Sequence, residues 1–415
     1  MKPHKMKSTI SVVTLLTLSA ALLLFPGSAH AGTQLHTLVQ FNYTDGAWPQ
    51  GLVVDKSGNL YGSTFRGGQY GNGTVYELSQ SAGVWTETIL YSFTGGTDGY
   101  APQGPITMDA QGNLYGTTYE GGTSYAGVVY KLTRNADGTW TQSVLYNFTG
   151  GADGGFPSNG VAFDPAGNIY GTAPNGGSSS CVLGCGVVFK LTPSSGGSWT
   201  YKTIYSLQAT GGSQPSNQLL VRAGKLYGTT FYTGTGYNGV VFELKPNGSS
   251  WDYSVLHSFS GGADGTRAWG ALVADQAGNL YGATTDGGTT NHGTVFELTP
   301  PVGGGTPWNE TEIYTFTGAS DGSSPFGVIM DKTGSLYGTT LWGGNNADCK
   351  GSGCGTIFKL TNQAGTWTDS TLFTFTGNLF EPSRLTLAPG KILYGTAGTN
   401  GMQPYGAIIR LQGFN

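Results

Sequence analysis

The chain has 415 residues, 72 of them glycine, with 12 % aromatic and only 10 % charged residues and a formal net charge of −4. Soluble proteins carry about 25 % charged residues and about 7 % glycine; here the aromatics and the regular Val/Ile/Leu runs make the glycines read as turns of a packed β-protein rather than as disorder. An acidic chain without a basic patch is a poor partner for nucleic acid or an anionic membrane surface.

In chain order, Lys2, Lys5 and Lys7 come first, then an apolar run from Ile10 to Phe25, then Ala29-His30-Ala31. That is the pattern of a secretory signal peptide with its cleavage site. The apolar run is short and no stop-transfer pattern follows. Residues 1–31 are therefore expected to be removed, and residues 32–415 to form one domain without a membrane span. Three lysines and no acid leave with the leader, so the net charge falls from −4 to −7.

Leu35 to Phe41 then matches the fourth strand of the unit that follows. In that unit Gly51 to Asp55 reads as an apolar strand, Lys56-Ser57-Gly58 as a tight turn and Asn59 to Thr64 as a second strand. Gly67-Gly68 opens a loop, Thr74 to Leu78 is a third strand, and Trp85 to Phe93 a fourth. Four short strands with turn residues between them make one antiparallel blade.

The unit recurs. Leu60-Tyr61-Gly62 returns around Tyr115, Tyr170, Tyr227, Tyr281, Tyr337 and Tyr394, at spacings of 54, 55, 57, 54, 56 and 57 residues. A fixed period of this length signals a repeat architecture. Seven such sheets set radially make an all-β, seven-bladed β-propeller of four-stranded antiparallel blades. A WD40 blade is shorter, about 40–45 residues, whereas kelch, about 50, is nearer. The chain stops after Gly406 to Leu411, which matches a third strand. The last blade thus lacks its outer strand, and the N-terminal residues are expected to supply it, closing the ring and removing two free edges.

Two cysteine pairs interrupt the loops before third strands. Cys181 and Cys185 flank three residues, and Cys349 and Cys354 flank four. In an oxidising compartment each pair reads as a local disulfide. Zinc would need further ligands, and His257 and His292 lie in other repeats. No metal and no cofactor is expected.

The whole unit, Leu-Tyr-Gly-Thr-Thr, Gly-Gly, Gly-Thr-Val-Phe-Glu-Leu-Thr and Tyr-Ser-Phe-Thr-Gly-Gly-x-Asp-Gly, resembles the GloVer tandem repeat of the choice-of-anchor family of exported bacterial proteins, loosely kelch-like. The resemblance covers about residues 35–415. It implies export and supplies no enzymatic activity to carry over. The family name reflects varied C-terminal anchors, whereas this chain ends at Phe414-Asn415 without a sorting tail.

Asp45, Asp98, Asp153, Asp264 and Asp321 recur between blades, and Asp55, Asp109, Asp164, Asp275 and Asp331 open the first hairpin turns. Recurrence favours turn-building over a carboxylate ring for calcium or catalysis. Trp85, Trp140, Trp199, Trp251, Trp308 and Trp367 are periodic and read as structural. Trp48, Trp269 and Trp342 break the period. Trp48 and Trp269 are expected in inter-blade loops and Trp342 in a Gly-Gly loop, all on one face, with Phe326 in the slot equivalent to Trp269.

Together with Arg267, these four aromatics are the candidate ligand-binding residues, suited to stacking on sugar rings. The competing reading is local packing beneath glycine-rich loops. No nucleophile–base motif appears, so no catalytic residue is assigned. The expected function is an exported, monomeric, non-catalytic module that binds an extracellular glycan or protein. The alternative is a carbohydrate hydrolase or lyase using a carboxylate pair drawn from Glu120, Asp286 and Glu381.

Overall fold

The computed structural model describes residues 32–232, 238–345, 347, 349–399 and 404–414. The expected leader, residues 1–31, lies outside the described residues. Seven antiparallel sheets follow one another along the chain as the blades of a propeller. Helix among the described residues is limited to a 3-10 turn at Cys349–Gly351.

Blade one shows the pattern and one departure from expectation. Its innermost strand comes in two pieces, Ala47–Pro49 and Val53–Val54, both paired with Leu60–Arg66. Thr74–Ser81 and Val84–Ser92 complete the sheet. The chain thus enters the blade before Gly51. Trp48 lies inside the innermost strand rather than in an inter-blade loop, and so does Arg267, in Thr266–Ala268 of blade five. Trp269 follows directly, its N–H donating to Ala283 O at 3.2 Å.

The periodic residues divide the work of packing. The repeat tyrosines are buried, and in five blades the hydroxyl donates to the aspartate that opens the first hairpin, as Tyr115 to Asp109 at 2.9 Å and Tyr337 to Asp331 at 3.0 Å. The neighbouring glycine leaves room for the aromatic of the third strand. A Cβ on Gly62 would run into the Tyr76 hydroxyl, and one on Gly338 into the Phe358 ring. The tryptophan of each outer strand packs on the tyrosine of the preceding blade. Trp140 meets Tyr61 at 6.3 Å between centroids, Trp251 meets Tyr170 at 5.9 Å and Trp367 meets Tyr281 at 6.0 Å.

The ring closes as the permuted ends predict. Gln34–Gln40 pairs antiparallel with Ala407–Gln412, with Leu35 opposite Leu411 and Thr37 opposite Ile409. This closing strand has no tryptophan to lay on Tyr337 of blade six. Phe414 does so instead, buried with its ring 5.7 Å from that of Tyr337.

A second device joins the blades. Trp48, Ala101, Phe156, Gln214, Arg267, Ser324 and Glu381 hold the same place in the seven blades, with φ between 46° and 58°. That left-handed region is costly for a residue with a Cβ, of order 1 kcal/mol or more. Each residue recovers the cost by donating its N–H to a carbonyl of the preceding blade. Trp48 bonds Tyr405 at 2.7 Å, Gln214 bonds Cys185 at 2.9 Å and Glu381 bonds Cys354 at 3.1 Å. Proline follows six of the seven, and it seats against a glycine of the neighbour: a Cβ on Gly293 would lie 2.6 Å from Pro325 Cδ. Both cysteine pairs are disulfide-bonded, with Cα separations of 5.1 and 5.4 Å. Two of the acceptor carbonyls belong to these cystines, so the cross-links hold the latch.

Candidate functional site

The inter-blade aspartates are spent on their own turns. Asp98 accepts the Thr94 N–H at 2.8 Å, the Thr94 hydroxyl at 2.5 Å and the Tyr91 hydroxyl at 2.9 Å. Asp153 and Asp321 repeat this with Tyr146 and Tyr314, and Asp264 with His257 at 3.3 Å. The aspartates are turn-builders, as recurrence suggested, each accepting from the N–H three or four residues before it rather than forming an Asx turn.

Non-periodic residues gather at the ring axis. Trp269 and Phe326 stand side by side, ring centroids 5.5 Å apart. Phe231 of blade four meets Trp269 edge to face, also at 5.5 Å. These rings form one wall of a cavity of about 220 Å³ whose other lining includes Gln50, Gln103, Ser158, Gln214 and Arg384. Every blade contributes, so the cavity is the mouth of the central channel. A smaller cavity of about 160 Å³ continues inward past Gly51, Pro105, Gln218, Gly327 and Arg384.

Of the residues singled out in the sequence, the structure thus brings Trp269 and Phe326 together. Trp48 is half exposed beside them and shares a side cavity of about 230 Å³ with Phe326, Glu381 and Arg384. Arg267 is turned aside: its Nη1 lies 3.3 Å from Asp286, and its guanidinium sits 5.7 Å from the Phe231 ring centre. Trp342 ends the strand Leu336–Trp342, opposite Ser323, and lines none of these cavities. Of the three candidate acids only Glu381 lines one of them, and burial pushes its pKa up.

Arg384 escaped the sequence reading. It lines all three cavities. In the other blades its place, two residues after the proline or its equivalent, is held by glycine or asparagine: Gly51, Gly104, Asn159, Asn217, Gly270 and Gly327. Gly51 makes room for its stem, since a Cβ there would come within 3.2 Å of Arg384 Cδ. Protein crowds the guanidinium and lowers its pKa to about 10, while part of the side chain still meets the solvent of the channel. The contact it keeps is with the Phe326 ring, at 5.7 Å. Aligning the innermost strands column by column would have exposed it.

One pairing was also unforeseen. His292 Nδ1 lies 3.0 Å from Ser323 Oγ. Between blades four and five the same two places are held by Asn238 and Thr266, bonded at 3.1 Å. The His–Ser pair therefore belongs to the inter-blade latch rather than to a nucleophile.

The Gloeobacter/Verrucomicrobia repeat matches residues 27–220, 139–306 and 178–409. No curated protein matches by sequence. Among solved structures, the fold is similar to a putative 6-phosphogluconolactonase from Bacteroides uniformis, at 13 % identity and TM-score 0.51, over 78 % of this chain and 84 % of that one. It is also similar to PhoX of Pseudomonas fluorescens in complex with vanadate, at 10 % identity and TM-score 0.49, over 94 % and 97 %. A putative gluconolactonase aligns at 14 % identity and TM-score 0.45, over 94 % and 93 %. Identities this low speak for the fold alone.

Proposed function

The chain belongs to the Gloeobacter/Verrucomicrobia repeat family, and on that footing we propose that it is an exported binding module that takes a sugar ring at the mouth of its central channel. The observation that carries this reading is the Trp269–Phe326 pair set among the amides of Gln50, Gln103 and Gln214. Flat apolar faces suit the C–H faces of a pyranose, and amides suit its hydroxyls. The Gln103 and Gln214 side chains make no hydrogen bond among the described residues, so both keep donors and acceptors to offer. The backbone is repeated at all seven left-handed places, yet the side chains there are Trp, Ala, Phe, Gln, Arg, Ser and Glu. The fold uses the N–H and does not fix the side chain, which leaves places such as Gln214 open to recognition, whereas Arg267 is taken by Asp286.

Export is supported by the leader-like N-terminus and by two disulfides, which persist in oxidising compartments. No helix among the described residues is long and apolar enough to cross a membrane. A glycoside hydrolase would need two carboxyl groups roughly 5–10 Å apart, and Glu381 is the one acid lining these cavities. The binding reading is therefore preferred.

The test is a glycan array on the mature chain, followed by titration of the best ligand into Trp269→Ala/Phe326→Ala. Truncating aromatic anchors usually costs about 2 kcal/mol or more, so affinity should fall at least tenfold while circular dichroism stays unchanged. A folded double variant that binds like the native protein puts the site elsewhere.

A further inference from the structure

We propose that the mouth selects the terminal residue of an acidic saccharide, with Arg384 receiving the sugar's carboxylate. This rests on the sugar-binding reading above and adds the substrate class.

A guanidinium removed from bulk water is costly unless something answers its charge. Arg384 forms no ion pair and donates no hydrogen bond to protein among the described residues; Glu381 shares its side cavity but does not pair with it. Of the other cations on this face, Arg267 is already paired with Asp286, and Arg66 lies over the Phe65 and Tyr100 rings and lines none of these cavities. The packing has made room for the side chain: Gly51 gives way to its stem, and Phe326 flanks its head. Six blades fill the same place with glycine or asparagine, so the architecture does not require an arginine there. What an arginine adds is a planar fork of donors, matched to a carboxylate or a phosphate.

The neighbours decide between those anions. Trp269 and Phe326 form a wall next to the fork, and free amides face them. A ligand filling this mouth has a ring-shaped face, hydroxyls and one negative charge. That describes a sugar acid better than an inorganic anion. The mouth, at about 220 Å³, is below the roughly 300–1,000 Å³ of sites that hold drug-sized ligands. A smaller cavity of about 160 Å³ continues inward from it, so we place one terminal ring here rather than an internal stretch of polymer. The protein's net negative charge works against polyanions at long range and leaves selection to this one cation lining the channel.

The experiment uses isothermal titration of the mature protein with a panel of monouronates. Each is compared with its methyl ester, its neutral parent sugar and inorganic phosphate. Native protein should prefer a uronate over its own ester at least tenfold. Arg384→Asn, which installs the residue of blades three and four, should fold normally and abolish that preference while retaining weak binding of the neutral sugar. Arg384→Lys should retain part of it. Trp269→Ala should weaken acid and ester alike. Equal affinity for acid and ester, or a preference that survives in Arg384→Asn, overturns the proposal while leaving the sugar site standing. Phosphate binding without uronate binding overturns the saccharide class. Failure of every sugar to bind removes both readings.

Discussion

Raising the pH should loosen this propeller, at three places where one blade meets the loop beside it. Two residues after each tryptophan of the outer strand, a side chain reaches toward an inter-blade loop. In blades two, three and four it is a hydrogen-bond donor: Gln142 to Asp98 O at 3.1 Å, Tyr201 to Asp153 O at 2.5 Å and Tyr253 to Gly211 O at 2.5 Å. In blades one, five and six it is Glu87, Glu310 or Asp369, each with a buried carboxyl oxygen that has no partner. Burial first, and the loop aspartates Asp45, Asp264 and Asp321 second, raise these groups to about 8, about 7 and about 7. A protonated carboxyl can donate as glutamine and tyrosine do, and an ionised one cannot.

An acid with a higher pKa folded than unfolded contributes its full stability below the unfolded value. It loses that stability as pH rises to the folded value. At about 1.4 kcal/mol per pH unit for each group, and discounting the more solvated Glu310 for screening, the three together should cost on the order of 5 kcal/mol between about pH 5 and pH 8. Asp331 runs the other way: hydrogen bonds from Thr333, Tyr337 and Ser335 outweigh burial and lower its pKa, so its share is lost only in acid. Urea unfolding at several pH values would show the effect. The native midpoint should fall from pH 5 to 8.5, and Glu87→Gln/Glu310→Gln/Asp369→Asn should flatten the curve and unfold later at pH 8.5. Parallel curves for the two proteins would refute the reasoning.

Two further outcomes test the closure. Deleting residues 32–41 removes the buried side chains Leu35, Leu38 and Phe41 and should lower stability by about 5 kcal/mol; an unchanged melting temperature would exclude the closing strand. Phe414→Ala should cost about 3 kcal/mol in urea unfolding, because it empties the place that tryptophan fills elsewhere; a change below about 0.5 kcal/mol would show that the Tyr337 contact is idle.

The architecture was legible because repetition multiplies weak signals. Seven copies of Leu-Tyr-Gly, and ends that begin on a fourth strand and stop on a third, were enough to count blades and close the ring. Less legible was whatever joins residues far apart in sequence. The tryptophans were recognised as structural, but their partner is the tyrosine one blade back, and Phe414 stands in for the seventh from the opposite end of the chain. The entry to each blade is hard to read from sequence because a left-handed residue, followed by proline in six of the seven blades, breaks the alternation by which strands are recognised, so Trp48 reads as a loop residue although it lies in the innermost strand. Departures from the repeat did lead to Trp269 and Phe326. The same logic reached Arg267 and Trp342, one of which the fold pairs with Asp286 and the other of which it sets apart. It passed over Arg384, whose stretch of innermost strand looked like blade and nothing more.

The most direct measurement is a crystal structure of the mature protein soaked with the saccharide that binds best. Density for a sugar ring against Trp269 and Phe326, with its polar groups on Gln103 or Gln214, is the predicted result. A saccharide bound on the outer strands, with the channel mouth filled by water alone, would contradict the account.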